Sequence, residues 1–139
     1  MTISELCKRV VVTIHRGASA EDAARAMLAS HIGNVVVVDP LDTRKPVGII
    51  TDRDIAVKVV AQGLVPAQTP VGSFMSAPVL SLREDDGFVA ALDKMSAHGV
   101  RLAPVLDREG RLKGLVSVDD LVPLLARELA KIGALIRHE

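Results

Sequence analysis

Apolar positions in this chain come in short runs whose period switches between that of a strand and that of a helix. Val10–Ile14 is β-branched and short, which predicts a strand ended by Gly17. Ser19 with Asp22 reads as an N-cap and its reciprocal acid, opening a helix through about Ser30 with Ala23, Met27 and Leu28 on its apolar stripe. Asn34–Val38 is apolar without alternation, as in a strand covered on both faces. The polar turn Asp39–Pro46 then leads into a strand Val47–Ile50, and the pair predicts a β-hairpin. A helix follows from Asp52 to about Gln62, stopped by Gly63. Leu64 to Pro70, with two prolines, reads as a linker.

The second half follows the same plan. A strand is predicted at Val79–Leu82, and a helix opened by Asp86 carries Phe88, Ala91, Leu92 and Met95 before ending at Gly99. Leu102–Leu106 and Leu112–Val116 form a second hairpin around Asp107–Gly110. The last helix, about Asp119 to Arg137, places Leu121, Leu125, Leu129, Ile132 and Ile136 at helical spacing, and Pro123 is tolerated in its first turn. That stripe is long for a chain of 139 residues, and both an internal core and a partner chain would suit it.

The two halves are copies. Gly48, Thr51 and Asp54 recur as Gly114, Ser117 and Asp120, 66 residues later, and the spacing from Thr13 to Asp39 equals that from Ser81 to Asp107. Within that span Ala23, Met27, Ala29 and Val37 recur as Ala91, Met95, Ala97 and Val105. A repeat of this period must be read before anything else. It gives a mixed α/β chain of the α+β kind, built from tandem β-α-β-β-α units at residues 1–64 and 71–139, joined by a linker at 65–70. Each unit is too small for a self-sufficient core, so the two are expected to pack as one pseudo-twofold globule.

Composition narrows the function classes. Apolar residues reach 49%, yet Phe74 and Phe88 are the only aromatics, so the core is aliphatic. Seventeen basic and seventeen acidic residues cancel, which removes the electrostatic footprint of a nucleic-acid binder, and the stacking platforms are missing too. No apolar run reaches the ~20 residues that span a bilayer, and the N-terminus lacks a signal-like core; a membrane role is not expected, and a cytoplasmic location is. Cys7 is alone and is expected to be a small buried residue. His15, His31, His98 and His138 lack metal-pair spacing and read as surface positions, so no metal site is expected. No nucleophile–base set or glycine-rich phosphate loop appears, and the chain is expected not to be an enzyme.

Candidate chemistry sits where the hairpins run into helices. At Pro46–Ile55 a strand feeds through Thr51 into a helix, whose free N–H groups favour anions. Thr51 and Asp54 lie one turn apart and point to the same place. The pair suits a sugar diol, with the carboxylate accepting from two hydroxyls. It also suits a capping box, with no ligand at all.

The duplicated unit, with Gly48–Ile55 reading GIITDRDI and Gly114–Leu121 reading GLVSVDDL, resembles the CBS-domain pair, or Bateman module. Phe74–Ser81 looks like that family's opening segment, and the resemblance covers nearly the whole chain, as in a stand-alone CBS-pair protein. It implies a regulatory module that homodimerises, binds AMP, ADP, ATP or S-adenosylmethionine between the repeats, requires no cofactor, and modulates an unidentified partner protein. Carried over by position, the first cleft would use Ile49, Thr51, Arg53 and Asp54 with Leu80, Val100 and Arg101. The second would use Leu115, Ser117 and Asp120 with Val12, Ile32 and Gly33. Arg53 and Arg101 suit phosphate, whereas Asp119 and Gly33 match them in the second cleft, so the first is expected to bind the nucleotide. Two departures stand out: Asn34–Val38 lacks a counterpart of Pro104, and Leu6-Cys7 fits the family's opening segment poorly. The alternative function is a structural dimerisation module whose clefts stay empty.

Overall fold

The computed structural model describes residues 1–138. Its order is α1 (Ile3–Leu6), β1 (Thr13–His15), α2 (Ala20–Ser30), β2 (Asn34–Asp39), β3 (Asp42–Thr51), α3 (Asp52–Ile55), β4 (Leu82–Arg83), α4 (Phe88–His98), β5 (Leu102–Leu106), β6 (Leu112–Ser117) and α5 (Val118–Ile136). Two three-stranded sheets result, β1-β2-β3 and β4-β5-β6. In each, the first strand pairs parallel to the second and the second antiparallel to the third.

The unbroken apolar run of β2 is explained by its two neighbours. Val35 and Val37 pack with Ala23, Met27, Ile50 and Val71 beneath α2. Val36 and Val38 point the other way and meet Ile49 and Leu115, so the two repeats share a seam of aliphatic side chains. Val35, Val36 and Val37 are fully buried. Burying each such side chain contributes about 1.5–3 kcal/mol. The second repeat has its own cluster, with Ile3, Leu82, Ala91, Met95, Val105, Val116 and Leu121.

Ile3 in that cluster reveals an exchange. The opening segment of the chain docks on the second repeat, where Lys8 N–H donates to the Leu115 carbonyl and Leu115 N–H donates back, both at 2.9 Å. The opening segment of the second repeat docks on the first in the same way, through Ser76 and Ile49 at 3.0 and 3.2 Å. Gly48 and Gly114 permit these approaches, since a Cβ at either would lie 2.5 Å from Met75 Sδ or 2.6 Å from the Lys8 carbonyl oxygen. The structural counterpart of Met75-Ser76 is Cys7-Lys8, one residue on from Leu6-Cys7, which explains the poor sequence fit there.

The crossing segments correct two predicted strands. Val10–Ile14 begins pairing only at Thr13, and Val79–Leu82 only at Leu82. Their first residues span the gap between one sheet's edge and the other's, and Val10 is 89% exposed. Pro104 accounts for the greater shortening in the second repeat. Val36 N–H donates to the Val12 carbonyl at 2.9 Å, whereas its counterpart Pro104 has no N–H to offer.

Smaller corrections follow. The first hairpin turn is confined to Pro40 and Leu41, because β3 already begins at Asp42. The helix from Asp52 widens to a π-helix over Ala56–Val60, and Gly63, at φ +70°, closes it. Within the linker, Pro66–Gln68 forms a 3-10 turn. Asp86 does not open α4; Gly87 is its N-cap, while the Asp86 carboxylate accepts from Arg83 N–H and Lys94 Nζ. The capping box of α2, by contrast, is present as read, with Ser19 and Asp22 bonded reciprocally at 3.0 Å.

Candidate functional site

Where β3 meets α3 and the chain crosses from Ser76 to Leu80, a cavity of about 310 Å³ opens. Ile49, Thr51, Ser76, Pro78, Val79, Leu80, Gly99, Val100, Arg101 and Leu102 line it. Five of the seven residues assigned to the first cleft, namely Ile49, Thr51, Leu80, Val100 and Arg101, thus share one wall. Most of that wall is aliphatic, as the flat face of a heterocycle requires.

Thr51, Arg101 and Leu102 also line a second cavity of about 440 Å³, with Gly33, Asn34, Asp52, Arg53, Ser117 and Asp119. The two spaces share these three walls. The first is apolar, and the second carries two guanidinium groups, two carboxylates and two hydroxyls. Arg53 lies in this polar part and not beside Ile49. A molecule with an apolar ring at one end and polar groups at the other matches that division.

Asp54 is placed differently from the ribose-gripping expectation. Its Oδ2 accepts from Thr51 N–H at 2.9 Å, and Thr51 Oγ1 accepts from Asp54 N–H at 3.2 Å. This is a complete capping box, and Asp54 lies outside the residues that line either cavity. Lys58 Nζ stands 3.4 Å from its Oδ1. A carboxylate has about four lone-pair sites, so the box leaves acceptor capacity on Asp54.

The second cleft's residues are dispersed. Leu115 is buried in the seam between the sheets, and Val12 packs against the first repeat's core. Ile32 and Gly33 line a shallow depression with Met27, Leu28, His31 and Asp52, while Ser117 faces the polar cavity. Ser117 caps α5 without a side-chain bond, and Asp120 pairs with Lys8 at 3.2 Å. Lys8 occupies the place that Ser76 holds in the first cleft, so the two clefts differ in charge. Gly33 stands where the second repeat has Arg101, and a Cβ there would lie 2.9 Å from Asp52 Oδ2, the end of an exposed side chain that can turn away.

Ser76, Pro78 and Val79 were not assigned from the sequence, because the crossover that brings them to the wall is a non-local contact; Gly99 and Leu102, which flank the assigned Val100 and Arg101, were missed as well. His31 and His98 are exposed, and Cys7 is half-buried. Among the described residues no cluster of three metal-ligating side chains occurs, and no helix is long and apolar enough to cross a membrane.

Tandem β-α-β-β-α units with exchanged opening segments and a cleft at the strand–helix junction define a class of paired-repeat modules. The family model described as CBS domain matches residues 3–61 and 71–127, and the chain belongs to the CBS-domain family. Protein MK0525 of Methanopyrus kandleri is 35% identical over 122 residues, covering 88% of this chain, which spans 61% of that relative's length. Among solved structures, the CBS domain protein PAE2072 from Pyrobaculum aerophilum, complexed with AMP, superposes with a TM-score of 0.80 at 28% identity, covering 94% of this chain and 99% of its own. The CBS domain pair of protein MJ0100, in complex with 5′-methylthioadenosine and S-adenosyl-L-methionine, superposes at 0.79 with 27% identity, covering 92% and 98%.

Proposed function

We propose that the chain is a regulatory, ligand-sensing module that binds an adenosine-containing molecule in the first cleft. The base and sugar occupy the apolar cavity, and any phosphates extend toward Arg53 and Arg101. The observation that carries this reading is the pair of cavities joined by Thr51, Arg101 and Leu102, largely aliphatic on one side and on the other lined by two guanidinium groups with two carboxylates and two hydroxyls. Two structural neighbours bound to AMP, or to 5′-methylthioadenosine and S-adenosyl-L-methionine, support the ligand class. AMP, ADP and ATP fit the guanidinium-lined end, and S-adenosylmethionine is the competing ligand. Binding would stiffen the contact between repeats and so alter the surface offered to a regulated protein.

Thermal unfolding with adenosine, AMP, ADP, ATP and S-adenosylmethionine tests this. A ligand at a hundred times its dissociation constant adds about 2.7 kcal/mol. Ser76→Trp, which fills the cavity from an exposed position, is expected to abolish that shift. Retention of the full shift in Ser76→Trp, or no shift with any of the five, overturns the reading. Asp54→Ala asks a narrower question: an undiminished ligand shift would make its carboxylate a cap only.

A second reading, a dimerisation module with empty clefts, is favoured by the closed Asp54 box and by α5. Val122, Leu129, Ile132 and Ile136 on that helix are 55–68% exposed. Such a stripe suits a second copy of the chain. Both readings predict a homodimer by sedimentation that Leu129→Asp with Ile132→Asp converts to monomer; only the first predicts a ligand shift.

A further inference from the structure

Arg101 borders both cavities, but its guanidinium is already engaged. Arg101 Nη2 donates to Asp119 Oδ1 at 2.5 Å. Asp119 stands in the first turn of α5, at the position where the first repeat carries Arg53. By sequence it belongs to the second cleft, yet the fold turns it onto the cation of the first.

Two facts make this contact a control point. Both side chains are largely exposed, 76% and 72%, so water screens the pair and it opens readily. The polar cavity also holds Arg53 and Asp52, whose Oδ1 accepts from Arg53 N–H at 2.9 Å. With Asp119 present, two positive and two negative side chains cancel. Without it the cavity carries one net positive charge.

We propose that Asp119 sets the preference of the first cleft among adenosine ligands, by holding Arg101 in an ion pair that an anionic ligand group must displace. This rests on the first cleft being an adenosine site. A ligand lacking phosphate leaves the pair intact. A phosphorylated one exchanges carboxylate for phosphate at the same guanidinium, so part of its attraction to Arg101 is offset by the broken pair.

Titration calorimetry with adenosine and AMP on the native chain, Asp119→Asn, Arg101→Gln and the double variant tests the proposal. Asp119→Asn is expected to raise the ratio of AMP to adenosine affinity by roughly three- to fivefold, the most that one exposed ion pair supplies. In the Arg101→Gln background that gain should vanish. An unchanged ratio overturns the proposal while leaving the adenosine site standing. A gain that persists without Arg101 also overturns it, since Asp119 would then repel phosphate directly. Failure of both ligands to bind the native chain removes the adenosine site itself, and the proposal with it.

Discussion

Gly114→Ala isolates the exchange of opening segments, and Gly48→Ala is its internal control. Neither glycine has a positive φ, so the backbone itself accepts alanine. At position 114 the new Cβ would lie 2.6 Å from the Lys8 carbonyl oxygen and 2.8 Å from Cys7 Sγ. Backbone cannot swing aside, so the segment must retreat, weakening both hydrogen bonds between Lys8 and Leu115. Two such bonds are worth about 2 kcal/mol, and more where the freed groups stay buried. Reduced freedom of the unfolded chain returns about 0.4–1 kcal/mol. The net loss expected is therefore about 1–1.6 kcal/mol, and more where the freed groups stay buried. At position 48 the obstacle is the Met75 thioether, 2.5 Å away, which can rotate. A displaced rotamer costs about 0.5–1.5 kcal/mol, which the same unfolded-state gain nearly cancels. Urea unfolding of both variants, followed by circular dichroism, reads the difference. If Gly114→Ala is no less stable than Gly48→Ala, the Lys8–Leu115 pairing does not hold the N-terminal segment as described.

Three further outcomes are expected. Lys113 bonds Glu84 at 2.5 Å and Ser4 Oγ at 3.1 Å, with both charged side chains less than a quarter exposed; Lys113→Ala should lower unfolding stability by about 1–2 kcal/mol, by leaving that carboxylate mostly buried with only the exposed Arg108 guanidinium, at 3.8 Å, as its partner. Burial pushes the Asp86 carboxyl up, but the Arg83 N–H and the Lys94 ammonium outweigh it, so the net shift is downward. A carboxyl lowered in the folded chain contributes stability above its unfolded pKa and loses it as pH falls through the folded one, so Asp86→Asn should flatten the stability loss below about pH 4 in acid titrations. Ser19→Ala removes half of the α2 capping box and should lower the urea midpoint by the equivalent of about 1 kcal/mol.

The local signals were legible. Ser19 and Asp22 formed the box their spacing implied, and the alternation-free run at Asn34–Val38 proved to be covered on both faces. The family resemblance, carried over by position, named Thr51, Leu80 and Arg101 together, and the three line one cavity. What the chain's order concealed was non-local. Val10 and Val79 carry strand propensity, yet they bridge two sheets, and no nearby residue signals that. The pairing of Lys8 with Asp120 joins positions over a hundred residues apart, so the occupied state of that carboxylate could not be read from its own motif. Thr51 and Asp54 suited both a cap and a sugar site, and the backbone geometry realises the cap.

Reciprocal docking of the two opening segments has a consequence for any half-length chain. Residues 1–64 alone would carry an arm whose receptor lies elsewhere and a receptor whose arm is missing. Two such fragments would have to lend arms to each other, rebuilding the molecule as a symmetric pair. The tandem arrangement ties that exchange into one polypeptide, and so frees each junction to diverge: Arg53 at one, Asp119 at the other.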